Sequence, residues 1–171
     1  MKDSDPRFRS FATITLRDLE RLLELARRDR DEFFATHRDW AEIYADRVLG
    51  TALCQGAALH YLRGDVGIND FDVYTFYASH PDRPWYAKRI KSVDFGDPKF
   101  GRSEVCRAKF IGRRVDLMAR GLNVPPGTDM TEALVPYLDA PKTDTARELA
   151  QKAVVLLEPR LGTTIWPRKS A

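Results

Sequence analysis

The run Asn69-Asp70-Phe71-Asp72-Val73-Tyr74-Thr75-Phe76-Tyr77 constrains this chain more than any other stretch. Its β-branched and aromatic residues favour an extended backbone. In a strand the side chains at i and i+2 share one face, so Asp70 and Asp72 are expected to project side by side. Like charges held together are costly unless a cation joins them. A third acid, Asp116, lies in Arg114-Val115-Asp116-Leu117, where apolar neighbours send the carboxylate to the opposite face of its own strand. If the two strands are neighbours, three carboxylates converge.

The segments around these acids read as a mixture of helices and strands. Thr15-Leu16-Arg17-Asp18 has the form of a helix N-cap with an acid in the first turn. Leu16, Leu19, Leu22, Leu23 and Ala26 follow at helical spacing. Phe33, His37, Trp40, Tyr44 and Val48 mark a second helical face, in which His37 is a partly buried helix residue. TALCQ (51–55) reads as a short buried strand, and Gly56 opens a short helix, AALHYL, that stops at Gly64. PDRPWYAKRIKS suits a loop or short helix, and VDFGDPKFG an interrupted edge strand or long loop. EVCRAKFI and RRVDLMA alternate as strands, with Gly112-Arg113 as a hairpin between them. TEALVPYL is a short helix in a connector. Thr145-Ala146-Arg147-Glu148 has the pattern of a capping box, and the apolar stripe Ala146, Leu149, Ala150, Ala153, Val154, Leu157 predicts a helix over 145–157, ended by Pro159.

These elements predict one α+β domain over residues 1–171. A helical region (1–49) precedes a core (50–120), followed by a connector and C-terminal helix (121–171). The expected architecture is a mixed sheet with the N-terminal helices on one face. A length of 171 residues suffices for a buried core without staples. No apolar run approaches the roughly 18 residues that span a bilayer, and the acid-bearing start MKDSDPRFRSF is unlike a secretory signal. Cys54 and Cys106 lie far apart and in no C-x-x-C pattern, which argues against structural zinc and for reduced thiols in a cytoplasmic protein.

The net charge of +3 is unevenly spread: residues 82–120 carry eleven Lys/Arg against five Asp/Glu. Such a segment is either a solvated surface or a positive rim that attracts a polyanion. In the second reading Arg83, Lys88, Arg89, Lys91, Arg113 and Arg114 gather near the acids.

Hydrolytic chemistries find little footing. His60 and His80 have no nucleophile at a telling spacing, and neither H-E-x-x-H nor G-x-S-x-G occurs. Phosphoryl or nucleotidyl transfer asks instead for positioning and charge neutralisation. Mg²⁺ takes oxygen ligands, so paired carboxylates plus substrate phosphates suffice. A glycine at a helix start, as at Gly56, lets a phosphate approach the free N–H groups and the helix dipole.

The order Gly56-Ala57, Asp70-Phe71-Asp72, Val115-Asp116-Leu117 resembles the nucleotidyltransferase fold of the DNA polymerase β superfamily. The stretch QGAALHYLRGDVGINDFDVYTFY is similar to small bacterial members, as in abortive-infection and toxin–antitoxin systems. The likeness covers about residues 53–119. It implies an NTP substrate, Mg²⁺ or Mn²⁺, and transfer of a nucleoside monophosphate to a hydroxyl acceptor such as an RNA or a protein. By the same resemblance Asp70 and Asp72 hold the metals, Asp116 completes the set, and Gly56 and Ala57 contact phosphates, with Asn69 and Arg114 as further nucleotide contacts. Two positions depart from the pattern: Ala57 stands where Ser or Gly is usual, and Asn69 where Ser is frequent. Two other readings remain beside the enzyme. One is a weakly active or inactive binding module of the same fold, acting as an antitoxin or RNA-contacting partner. The other is an unrelated α+β domain whose acids lie on a solvent face paired with arginines.

Overall fold

A computed structural model describes residues 8–85, 89–102 and 109–169. Helix α1 (Leu16–Thr36) starts at a reciprocal cap: Thr15 Oγ1 accepts the Asp18 N–H, and the Asp18 carboxylate accepts the Thr15 N–H at 2.8 Å. Leu19, Leu22, Leu25 and Ala26 form its buried stripe, while Leu16 stays exposed. His37 ends α1 and precedes α2 (Arg38–Tyr44); its Nδ1 lies 3.0 Å from the Phe33 carbonyl, so the imidazole closes a helix end.

The chain then enters a six-stranded sheet. Its strands are β1 (Val48–Cys54), β2 (Phe71–Ala78), β3 (Ile90–Asp94), β4 (Arg114–Leu122), β5 (Val154–Glu158) and β6 (Thr164–Trp166), in the spatial order β3-β4-β2-β1-β5-β6. The pair β2–β4 is parallel and every other pair antiparallel, so the sheet is mixed and the fold α+β. Helix α3 (Gln55–Arg63) leaves β1 directly and ends at Gly64, whose φ of +79° is the left-handed conformation that glycine adopts without steric cost. Helices α4 (Met130–Asp139) and α5 (Asp144–Ala150) follow β4.

Two apolar layers enclose the sheet. On one face Leu19 and Leu22 of α1 and Ala58 of α3 pack on Leu53, Phe71, Val73, Val115, Leu117 and Val155. On the other, Met130 and Leu134 of α4 and Leu149 of α5 pack on Ala52, Phe76, Val154 and Leu156. At about 25 cal/mol per Å² of buried apolar area these layers supply the main driving force for folding. No helix among the described residues is long and apolar enough to cross a membrane.

The C-terminal expectation needs correction. The helix predicted over 145–157 stops at Ala150, and 154–158 is strand β5, inserted beside β1. Its cap is Thr143, whose hydroxyl accepts the Ala146 N–H. Ala153, Val154 and Leu157 match a helical stripe, but Val154-Val155-Leu156-Leu157 is equally a strand buried on both faces. Short apolar runs carry that ambiguity. Within residues 121–171 the expected TEALVPYL helix forms as α4, α5 is shorter than expected, and two strands, β5 and β6, take the place of the rest of the C-terminal helix and the tail. The antiparallel partner of β4 is β3, from a stretch read as loop or interrupted edge. The proposed strand EVCRAKFI falls mostly outside the described residues, as do Cys106 and Lys88.

Candidate metal centre

Register brings the acids together. In the parallel pair Phe71 lies opposite Val115, Asp72 opposite Asp116 and Val73 opposite Leu117. Phe71, Val73, Val115 and Leu117 are buried against α1 and α3, so the alternating positions Asp70, Asp72 and Asp116 must face the other way. One carboxylate oxygen from each of the three lies within 4.8 Å of the others.

Their charge is only partly compensated. Arg114 Nη2 donates to Asp70 Oδ2 at 2.8 Å, and its Nε lies 3.4 Å from Asp116 Oδ1 without the alignment of a hydrogen bond. Ser92 of β3 donates to the same Asp116 Oδ1 at 2.6 Å. Asp72 accepts no hydrogen bond and has no ion-pair partner among the described residues. Burial, then the charges of Asp70 and Asp116, push its carboxyl up to about 8 against the opposing pull of Arg114 and Lys152. Asp116 is raised as well, because lost hydration outweighs the Ser92 hydrogen bond and the Arg114 charge. The adjacent Cys54 thiol is driven up by burial and then by Asp72.

Beside the acids lies the β1–α3 turn. Gln55 has φ +63°, a left-handed conformation costing roughly 1–2 kcal/mol for a residue with a Cβ. Its N–H donates to the Ala153 carbonyl at 3.1 Å, which ties the turn to the loop before β5. The N–H groups of Gly56 and Ala57 donate to no acceptor among the described residues. A Cβ built on Gly56 would meet only Lys152 Nζ, at 3.9 Å. Nothing in the fold therefore requires a glycine at 56; it keeps an open space between a helix start and an ammonium group. The Ala57 methyl is buried in the core, so only its backbone could touch a ligand.

An all-oxygen donor set with surplus negative charge fits a hard divalent cation such as Mg²⁺ or Mn²⁺. The uncompensated Asp72 is the observation that carries this fit, since a bound cation offsets both the burial and the like charges that raise it.

Other expected residues fall elsewhere. The Asn69 carbonyl accepts from Arg113 Nη1 at 3.2 Å. Arg113 is buried and also donates to the carbonyls of Phe8 and Phe100, which makes it a structural brace. Arg89 and Lys91 face α1, pairing with Asp29 and Glu32, and Arg83 pairs with Asp39 over the Trp40 ring. Of the five candidates among the described residues only Arg114 reaches the acids, so Arg83, Arg89, Lys91 and Arg113 do not form a rim around them. Alternation decides this: Lys91 and Ser92 point to opposite faces of β3.

Ser92 and Lys152 are site residues that the sequence did not reveal. Ser92 sits in a strand without a clear pattern, and Lys152 in the break that turns one apparent helix into a helix and a strand. A separate open groove of about 720 Å³, lined by Glu20, Arg27, Glu32 and Glu158 among others, runs between α1 and β5, and none of the three aspartates borders it. Comparison with protein-family models, curated proteins and solved structures finds no match to this chain.

Proposed function

We propose that the protein is a divalent-metal-dependent nucleotidyltransferase, moving a nucleoside monophosphate from an NTP to a hydroxyl acceptor. The observation that carries this reading is the convergence of Asp70, Asp72 and Asp116 on neighbouring strands, next to the open N-terminus of α3. Asp70, Asp72 and Asp116 would hold the metal, which would supply Lewis-acid stabilisation of charge on the phosphate oxygens. The N–H groups of Gly56 and Ala57 would cradle phosphate oxygens, with Lys152 opposite. In the transfer the acceptor oxygen bonds to the α-phosphorus, the bond from that phosphorus to the bridging oxygen breaks, and pyrophosphate leaves. Asp116 Oδ2, the oxygen not engaged by Ser92, would take the hydroxyl proton, and the raised proton affinity of Asp116 suits a general base. Arg114 and Lys152 would neutralise the leaving group.

The test incubates the protein with each of the four NTPs and Mg²⁺ or Mn²⁺ and reads melting temperature and pyrophosphate release. Metal-dependent stabilisation by an NTP, with pyrophosphate formed when a hydroxyl acceptor is supplied, supports the reading. Absence of both under all eight conditions sinks it.

One observation favours a second reading. Arg114 already bridges Asp70 and Asp116, as in a domain that replaces the metal with a guanidinium and keeps the fold for binding alone. NTP stabilisation without metal dependence and without turnover selects it.

A further inference from the structure

We infer that Arg114 is a displaceable occupant of the cation position: it holds Asp70 and Asp116 together in the metal-free protein, then moves to the ligand's phosphates when a divalent cation enters. This rests on the reading of the three aspartates as a metal centre.

The contacts of Arg114 are those of an imperfect tenant. Only Nη2 makes a good hydrogen bond, to Asp70 at 2.8 Å. Nε is buried 3.4 Å from Asp116 Oδ1 yet donates to nothing. A buried N–H without an acceptor has given up its hydrogen bond to water and gained none in return. The Asp116 oxygen it faces is already taken by Ser92 at 2.6 Å. The chain builds the better geometry elsewhere: Arg89 grips Asp29 with two hydrogen bonds of 2.6 Å each, the bidentate fork that makes arginine–carboxylate pairs strong.

Charge gives the same answer. One guanidinium stands against three carboxylates and leaves Asp72 uncontacted, whereas a divalent ion can touch all three. The Arg114 side chain is also 35% exposed at the first residue of β4, where it has room to turn outward. A metal ion entering alone must evict the guanidinium into water. A metal ion entering with a polyphosphate gives it new anionic partners. Metal and polyphosphate should therefore bind with positive coupling, and Arg114 should carry much of it.

The experiment measures protein-bound Mn²⁺ by equilibrium dialysis, without nucleotide and then with inorganic tripolyphosphate, against a protein-free titration that accounts for the Mn²⁺ tripolyphosphate itself holds. Wild type is expected to bind Mn²⁺ weakly alone and more tightly with tripolyphosphate. R114Q should bind Mn²⁺ alone about tenfold more tightly than wild type and lose most of the gain from tripolyphosphate, since a coupling of 5–150-fold is typical of linked sites. R114M is the second neutral variant should R114Q fail to fold. K152Q removes a nearby charge that makes no contact with Asp70 or Asp116, so its affinity for Mn²⁺ alone should change less than about threefold if contact rather than field decides. Mn²⁺ binding by wild type with no gain in R114Q or R114M overturns the displacement and leaves the metal centre standing. A K152Q gain equal to that of R114Q also overturns it. No Mn²⁺ binding by any of these proteins, with or without tripolyphosphate, overturns both.

Discussion

Glu158 and Asp72 are half-buried acids on opposite faces of the same sheet, and their surroundings differ in kind. Glu158 receives Arg27 Nε and Nη2 at 3.0 and 2.7 Å on one oxygen, and Arg30 Nη1 and Thr51 Oγ1, both at 3.0 Å, on the other. Burial alone would raise it, but these donors hold it below the usual carboxylate range. Asp72 is pushed the other way, to about 8, by burial and two like-charged neighbours. The Glu158 site ties α1 to β5 and β1, and it is satisfied within the chain. The Asp72 site has one guanidinium for three acids. An acid that serves the fold is matched by donors from the fold; one left in deficit costs stability and points to a charge supplied from outside.

The largest effect expected from this contrast is on activity. Asp70→Asn and Asp72→Asn should each lower metal-dependent pyrophosphate release by about a thousandfold or more, since a metal ion's stabilisation of the transition state amounts to several kcal/mol. Glu158→Gln, distant from the chemistry, should leave the rate per folded molecule within about threefold. Stability should move the opposite way. Glu158→Gln uncouples two arginines and is expected to cost about 2 kcal/mol in urea unfolding, below the range for fully buried pairs because the side chain is 16% exposed. Asp72→Asn should stabilise the metal-free protein. If both variants shift the unfolding midpoint in the same direction, the contrast between the two acids fails.

Two glycines sharpen the same comparison. A Cβ at Gly50 would lie 2.5 Å from the Glu158 carbonyl oxygen and 2.7 Å from Met130 Cγ, so Gly50→Ala should destabilise by roughly 1–3 kcal/mol, as overpacking does. Gly56→Ala meets open space and sits in a helix, so its melting temperature should hold or rise. The cost should appear as weaker tripolyphosphate binding. A Gly56→Ala protein that melts like Gly50→Ala would make Gly56 a packing residue.

The pH dependence has opposite signs at the two acids. Asp72 binds a proton more tightly folded than unfolded, so its ionisation penalises the native state. That penalty is absent below the ordinary value of 3.8, grows as pH rises, and is complete above about 8. The stability gap between Asp72→Asn and wild type should therefore open between those limits. Glu158 is the reverse: its contribution is present above its ordinary value of 4.5 and is lost as pH falls through the depressed folded value. Thermal melts of wild type, Asp72→Asn and Glu158→Gln across pH 3–9 separate the two. A gap for Asp72→Asn that is flat with pH would mean that Asp72 is not held in deficit.

Much of this was legible in the sequence where one pattern dominates locally. The cap at Thr15 and Asp18, the Gly56 helix ending at Gly64, and the alternation that sends Asp70, Asp72 and Asp116 to one face all follow from side-chain chemistry within a few residues. What failed depends on distant partners. Residues 154–157 satisfy a helical stripe and a strand buried on both faces alike, and the vacancy beside β1 decides for the strand. Arg89, Lys91 and Arg113 look interchangeable with Arg114 by charge, but pleat direction and burial send them to Asp29, to Glu32 and into the interior. Ser92 reaches Asp116 only because β3 lies at the sheet edge next to β4.

Lys152 should show the smallest effect and the most specific one. Its ammonium points into the space beside Gly56, where it favours the ionised form of Asp72 without contacting an acid. It is exposed and forms no ion pair among the described residues, so Lys152→Gln should leave stability within about 0.5 kcal/mol of wild type. If it faces bound phosphates, tripolyphosphate affinity in the presence of Mn²⁺ should fall roughly three- to tenfold, and the difference should shrink as salt screens the pair. Calorimetric titrations at about 0.05 and 0.5 M salt read both quantities. An affinity equal to wild type at low salt would remove Lys152 from the site and leave the phosphates to the α3 N-terminus and Arg114.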